Sequence, residues 1–148
     1  MTTETSTLPR VQLALNVPNL EAAIEFYNEI FSAKPAKVRG GYANYALTDP
    51  PLKLVLIENP GASERLNHLG VEVGSSEEVV AHTRRLAERL PIRLEEGTEC
   101  CYALQDKVWV SGPDRTDWEF YTVLADSPSA GKDSSGEECG ASGAANCC

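Results

Sequence analysis

Between Arg10 and Leu124 the apolar residues fall into short alternating runs broken by two longer stripes of helical spacing, and this arrangement occurs twice. Val11-Gln-Leu-Ala-Leu-Asn-Val17 alternates with the period of a strand, and Asn67-His-Leu-Gly-Val-Glu-Val73 repeats the pattern 56 residues later. Each run leads quickly into a helix. Asn19 is placed to cap the first, whose positions Leu20, Ala23, Ile24, Tyr27 and Ile30 share one stripe. Ser75 with Glu78 forms a capping box for the second, with a stripe through Val79, Thr83, Leu86, Ala87 and Leu90. Three strands are predicted after each helix. In the first half they cover about 36–39, 42–47 and 53–57, divided by Gly40-Gly41 and Asp49-Pro50-Pro51. In the second they cover 92–95, 107–110 and 118–124, with Gly112-Pro113-Asp114 as the last turn.

The order is βαβββ twice, which predicts an α+β fold. Two modules form a curved mixed sheet, each helix covers one face, and the other face is free to curve around a site. The modules span about 10–60 and 64–125 of a single domain at 10–125, preceded by a flexible N-terminus at 1–9. From 126 to 148 the chain turns to Ser, Gly, Ala and Asp, a composition that predicts a disordered tail, and this tail holds Cys139, Cys147 and Cys148.

Composition narrows the function classes. The net charge of −9 argues against non-specific binding to nucleic acid or to an anionic membrane surface. No apolar run approaches the roughly 18 residues of a membrane span. Met1–Pro9 has neither a basic start nor an apolar stretch, so no secretory signal is expected. Five cysteines without framework spacing place the protein in a reducing cytoplasm.

Adjacent residues Cys100 and Cys101 carry the most specific chemistry. Consecutive Cα atoms lie about 3.8 Å apart, too close for an unstrained disulfide between the two. Both sulfurs suit a third, thiophilic centre such as zinc, cadmium or trivalent arsenic. A monoalkyl or monoaryl arsenic(III) has two exchangeable oxygen positions, which two sulfurs match. The ordinary reading of such a pair is two small buried hydrophobes.

A second constellation follows from strand alternation. If Leu13, Leu15 and Val17, with Leu69, Val71 and Val73, face the helices, Gln12 and His68 face the concave side at equivalent positions of the repeat. Glu119 alternates with Trp118 and Phe120 and so shares that inner face with Tyr121 and Val123. Aligning Trp118-Glu-Phe-Tyr with Leu52-Lys-Leu-Val makes Lys53 its first-half counterpart. His82, the only other histidine, is expected at the surface. Tyr102 is placed either to line a pocket or to pack.

Paired βαβββ modules with polar residues at these places resemble the vicinal oxygen chelate superfamily, the fold of glyoxalase I, extradiol dioxygenases and bleomycin-resistance proteins. The segments at 10–17, 50–61, 66–73 and 100–110, above all the Cys-Cys-Tyr block, resemble organoarsenical carbon-arsenic lyases and related cadmium-induced proteins. The resemblance implies that Gln12, His68 and Glu119 bind Fe(II), that Cys100 and Cys101 capture the arsenic, and that Tyr102 contributes to substrate binding. It implies an iron-dependent, dioxygen-consuming lyase that degrades trivalent methyl or aromatic arsenicals to arsenite. An amide oxygen, an imidazole and a carboxylate form a variant of the facial triad, and the cation of Lys53 makes a poor fourth ligand. The partners expected are a small-molecule arsenical, no nucleic acid and no membrane, in a monomer or homodimer. Two other classes remain open: a non-catalytic protein that sequesters cadmium or arsenic through its thiols, and a glyoxalase-like isomerase.

Overall fold

The computed structural model describes residues 8–128. Eight strands form one sheet in the order β2-β3-β4-β1-β5-β8-β7-β6, where β1 is Arg10–Val17, β2 Lys37–Arg39, β3 Tyr42–Thr48, β4 Pro51–Glu58, β5 Leu66–Glu72, β6 Arg93–Cys100, β7 Ala103–Ser111 and β8 Asp117–Asp126. Among the described residues only β1–β4 and β5–β8 pair in parallel, so each module closes on its own first strand, and the modules join through the antiparallel pair β1–β5. The sheet is mixed, as expected.

Both helix starts follow their sequence signals. Asn19 accepts a hydrogen bond from the Ala22 N–H at 2.8 Å and caps α1, Leu20–Phe31. Ser75 accepts from the Glu78 N–H at 3.2 Å and caps α2, Ser76–Ala87, while the Glu78 carboxylate reaches back to the Gly74 N–H at 2.6 Å. A capping hydrogen bond of this kind contributes about 1 kcal/mol. Burial of each inner stripe contributes more: Leu20 joins Leu54, Leu56 and Tyr45 in one core, and Val79 and Leu86 join Val73 and Val108 in another. Neither stripe ends as expected, because Ile30 is exposed and Leu90 lies beyond the end of α2, also exposed.

The second module is more extended than its pattern suggested. Strand β6 runs through to Cys100 rather than ending near Glu95, with a bulge between Glu95 and Thr98 around Gly97, whose φ is +56°. Residues 96–100, outside the strands the pattern predicts, are therefore strand. Strand β8 extends through Asp126, and Ser127 is buried and donates its N–H to the Tyr102 carbonyl at 2.9 Å. The fold thus takes in the start of the expected tail, whose remainder, with Cys139, Cys147 and Cys148, lies outside the described residues. His82 lies at the surface as expected, partly exposed, with its ring edge-on against Phe120, centroids 4.5 Å apart. No helix among the described residues is long and apolar enough to cross a membrane.

The sheet curls until its two ends meet. Lys37 on edge strand β2 donates to the Tyr102 carbonyl at 2.9 Å and pairs with Asp126 at 2.6 Å, linking it to the β6–β7 hairpin and the end of β8.

Candidate functional site

Strand register explains how three distant residues meet. Gly70 on β5 lies opposite Gln12 on β1 and opposite Glu119 on β8, and His68 lies two residues before it on the same face. Having no side chain, Gly70 lets its two neighbours meet over the bare backbone. A Cβ there would stand 2.8 Å from Glu119 Cγ and 3.3 Å from Gln12 Nε2. The Gln12 amide donates to Glu119 Oε1 at 2.9 Å and lies 3.0 Å from His68 Nε2, and His68 Nε2 is 3.7 Å from Glu119 Oε1. All three residues are buried.

The tautomer of His68 is fixed from behind. Its Nδ1 lies 2.8 Å from Asn67 Oδ1, an acceptor, so the ring proton sits on Nδ1 and the Nε2 lone pair faces Gln12. Asn67 is itself held, donating to Asn16 Oδ1 at 3.1 Å, and Asn16 donates to the Glu64 carbonyl at 3.0 Å. The Gln12 NH₂ thus bridges two acceptors that converge on it. Turning that amide over would bring a third acceptor, its oxygen, to the same point.

Lys107 completes the site. It is fully buried and donates to Glu119 Oε2 at 3.1 Å, so the carboxylate offers Oε1 inward while its other oxygen is occupied. Burial works against the ionised Glu119, but the Lys107 ammonium, with the His68 ring once acid has protonated it and with the Gln12 amide, outweighs it and holds the carboxyl down at about 2. Trp109 packs edge-on against the His68 ring at 5.2 Å and lies 5.4 Å from Lys107 Nζ.

The alignment of Lys53 with Glu119 does not hold. Gln12 and His68 are equivalent, and two residues further on Ala14 pairs with Val55 as Gly70 pairs with Glu119. The first-half counterpart of Glu119 is therefore the buried, apolar Val55, which offers no ligand atom. Lys53 faces Glu72 at 3.4 Å instead, in a cluster with Arg10 and the Tyr121 hydroxyl.

The cysteine pair lies at a sharp turn. Cys100 closes β6 against Ala103, leaving Cys101 and Tyr102 as a two-residue hairpin with φ of +50° and +60°. Hairpins of this geometry favour Asn-Gly, and each non-glycine residue in the left-handed region costs about 1–2 kcal/mol. The bonds from Lys37 and Ser127 to the Tyr102 carbonyl, and the Tyr102 ring 5.4 Å from Tyr42, hold the turn in place. The two sulfurs are 3.8 Å apart. Cys101 is a free thiol, pushed up to about 12 by burial.

One cavity of about 340 Å³ joins these parts, lined by Cys101 together with Gln12, Glu119, Tyr42, Lys53 and Gln105. His68 lies behind Gln12, and Cys100 is not part of the lining. The sequence pattern singled out Gln12, His68, Glu119 and the cysteines but gave no sign of Asn67, Lys107 or Gln105, whose roles depend on contacts across strands. Among the described residues no three His, Cys, Asp or Glu side chains gather as a metal cluster, so a cation site here depends on the Gln12 amide oxygen. With that oxygen turned inward, the set of amide, imidazole and carboxylate fits a six-coordinate divalent ion with open positions.

Residues 10–120 match the family model of the glyoxalase/bleomycin resistance protein/dioxygenase superfamily. The chain is 62% identical over 125 residues to cadmium-induced protein CadI of Mycobacterium tuberculosis, covering 84% of this chain and 82% of that protein. It is 50% identical over 151 residues to the trivalent organoarsenical cleaving enzyme of Thermomonospora curvata, covering 95% of this chain and all of that one. Among solved structures, the Mn(II)-bound glyoxalase of Novosphingobium aromaticivorans superposes with a TM-score of 0.58 at 15% identity, over 86% of this chain and 42% of that one. This last likeness concerns the fold.

Proposed function

The chain belongs to the glyoxalase/bleomycin resistance protein/dioxygenase superfamily, and within it we propose an Fe(II)-dependent, dioxygen-consuming enzyme that cleaves the carbon-arsenic bond of trivalent organoarsenicals. The observation that carries this reading is the shared cavity, in which Cys101 faces the same space as Gln12 and Glu119. The name of the Thermomonospora relative points the same way. A sequestering protein needs no polar triad beside its thiols, and an isomerase gives the cysteine pair no work.

Iron(II) held by Gln12, His68 and Glu119 would supply the activation of dioxygen. The protein's own residues do the rest. Asn67 keeps the His68 proton on Nδ1, Lys107 keeps Glu119 ionised and one oxygen occupied, and Val55 leaves the fourth protein position empty of ligand atoms. Burial keeps the proton on Cys101 until capture, when its sulfur displaces a hydroxyl from arsenic and the thiol proton leaves with it as water. With Cys100 also a thiol, its sulfur, 3.8 Å from that of Cys101, lies within reach of the same arsenic. Anchored there, the carbon-arsenic bond is held in the metal's cavity, which replaces a chance encounter with a fixed approach. For a methyl arsenical, CH₃As(OH)₂ and O₂ balance to arsenite, As(OH)₃, and formaldehyde.

The test is turnover of the reduced protein with Fe(II) and methylarsonous acid. Arsenite is expected in air and none under anaerobic conditions; equal release without dioxygen would refute the oxygenase reading. Stoichiometric arsenic binding with no organic product would favour sequestration.

A further inference from the structure

Among the described residues, Gln105 is the one lining the cavity that has a buried polar atom left over. Its side chain is buried on β7, and its Nε2 donates to the Cys100 carbonyl at 2.9 Å. That bond fixes which end of the amide is nitrogen, because the reverse orientation would set two oxygens against each other. Its Oε1 is buried and, among the described residues, has no hydrogen-bond partner. An orphaned buried acceptor is costly, and because Gln105 lines the cavity beside the Cys101 thiol, a molecule bound there can supply the missing donor once it displaces the atoms that cover Oε1.

The chemistry of capture supplies such a donor. Cys101 lines the cavity and Cys100 does not, so the first sulfur to meet an entering arsenical is that of Cys101. When R–As(OH)₂ condenses with one thiol, an As–O bond breaks, an As–S bond forms, and the thiol proton leaves with the hydroxyl as water. No electrons change hands. The product, R–As(OH)–S–Cys101, retains one As–OH, a hydrogen-bond donor. We propose that Gln105 Oε1 accepts this hydroxyl, and that Gln105 is a specificity-determining residue favouring arsenicals with two exchangeable hydroxyls over those with one. The assignment rests on the arsenical reading above. It also gives the Cys100 carbonyl a purpose, since the bond from Gln105 Nε2 aims the acceptor from the turn that carries the thiol.

The experiment uses the full chain with Cys100, Cys139, Cys147 and Cys148 changed to Ser, so that Cys101 is the only thiol, and measures capture by titration calorimetry. Three probes separate the possible donors. Methylarsonous acid keeps one As–OH after capture, dimethylarsinous acid keeps none, and 4-aminophenylarsonous acid carries an additional donor on its ring. Gln105→Met is expected to weaken capture of methylarsonous acid about tenfold while dimethylarsinous acid changes less than about twofold, the difference expected from one buried hydrogen bond. Gln105→Asn withdraws the acceptor by one methylene and is expected to give the same selective loss, which covers the case in which the Met variant folds poorly. An equal loss for both methyl compounds would reduce Gln105 to a support of the turn and overturn the proposal. A loss confined to the aminophenyl compound would make the ring amine the partner and overturn the As–OH assignment. Failure of the single-thiol parent to capture any probe would overturn first capture at Cys101 and with it this proposal, while turnover of the reduced full chain tests the arsenical reading separately.

Discussion

Gly70→Ala tests the site at the point where its geometry is tightest. The added Cβ would stand 2.8 Å from Glu119 Cγ, 3.0 Å from the Glu119 carbonyl oxygen and 3.3 Å from Gln12 Nε2. Carbon atoms settle at about 3.5–4.0 Å, so the Glu119 side chain must retreat by roughly 1 Å. The backbone oxygen has no such freedom, because it belongs to the β5–β8 ladder. Two effects of opposite sign compete. Replacing a strand glycine removes unfolded-state freedom and stabilises by about 0.5–1 kcal/mol, whereas overpacking costs about 1–3 kcal/mol. Overpacking wins here because one contact is with backbone, and a net loss of about 1–2 kcal/mol is expected, a fall in Tm of about 3–8 °C for a domain of this size. A retreat of that length also stretches the 2.9 Å bond between Gln12 and Glu119 beyond hydrogen-bond range and spreads the three acceptors. Cobalt(II) titration followed by visible absorption should show at least a tenfold weaker site. A variant as stable as the parent, with unchanged cobalt affinity, would refute the claim that the glycine makes room for the pair.

Other substitutions separate the parts. Asn67→Leu removes the acceptor that fixes His68 and should weaken divalent-ion binding by about 10- to 100-fold, with a change in the His68 ring ¹⁵N shifts that reports the lost tautomer preference. In the apoprotein, the Glu119 carboxyl is depressed from 4.5 to about 2, so its stabilising contribution is complete above the unfolded value and is lost as pH falls from 4.5 towards 2. That contribution is on the order of 3 kcal/mol, and Lys107→Met should shift its loss to higher pH in urea denaturation measured across this range. Cys101→Ser should abolish capture from the cavity and leave cobalt affinity within about twofold of the parent.

Local signals were readable in the chain because the physics behind them is local. The caps at Asn19 and Ser75 satisfy N–H groups three residues away, and alternation along β1 and β5 correctly placed Gln12 and His68 on one face. Cross-strand relations were not readable. Aligning four residues by similarity matched Lys53 to Glu119, while the register of β1 with β4 sets Val55 there. Lys107 reads as an ordinary strand lysine until β7 pairs with β8 and brings it to Glu119. The hairpin at Cys101-Tyr102 was missed because it lacks the Asn-Gly pair that normally announces such a turn, and its conformation is held by Lys37 and Ser127, far away in sequence.

The central claim is that one cavity holds both the captured arsenic and the metal. A crystal of the reduced protein, loaded anaerobically with Fe(II) and methylarsonous acid, tests it through anomalous scattering at the arsenic and iron edges. Two peaks are expected in the cavity, one on the Cys101 sulfur and one among Gln12, His68 and Glu119. Arsenic held away from Cys101, or iron bound anywhere but at that triad, would contradict it.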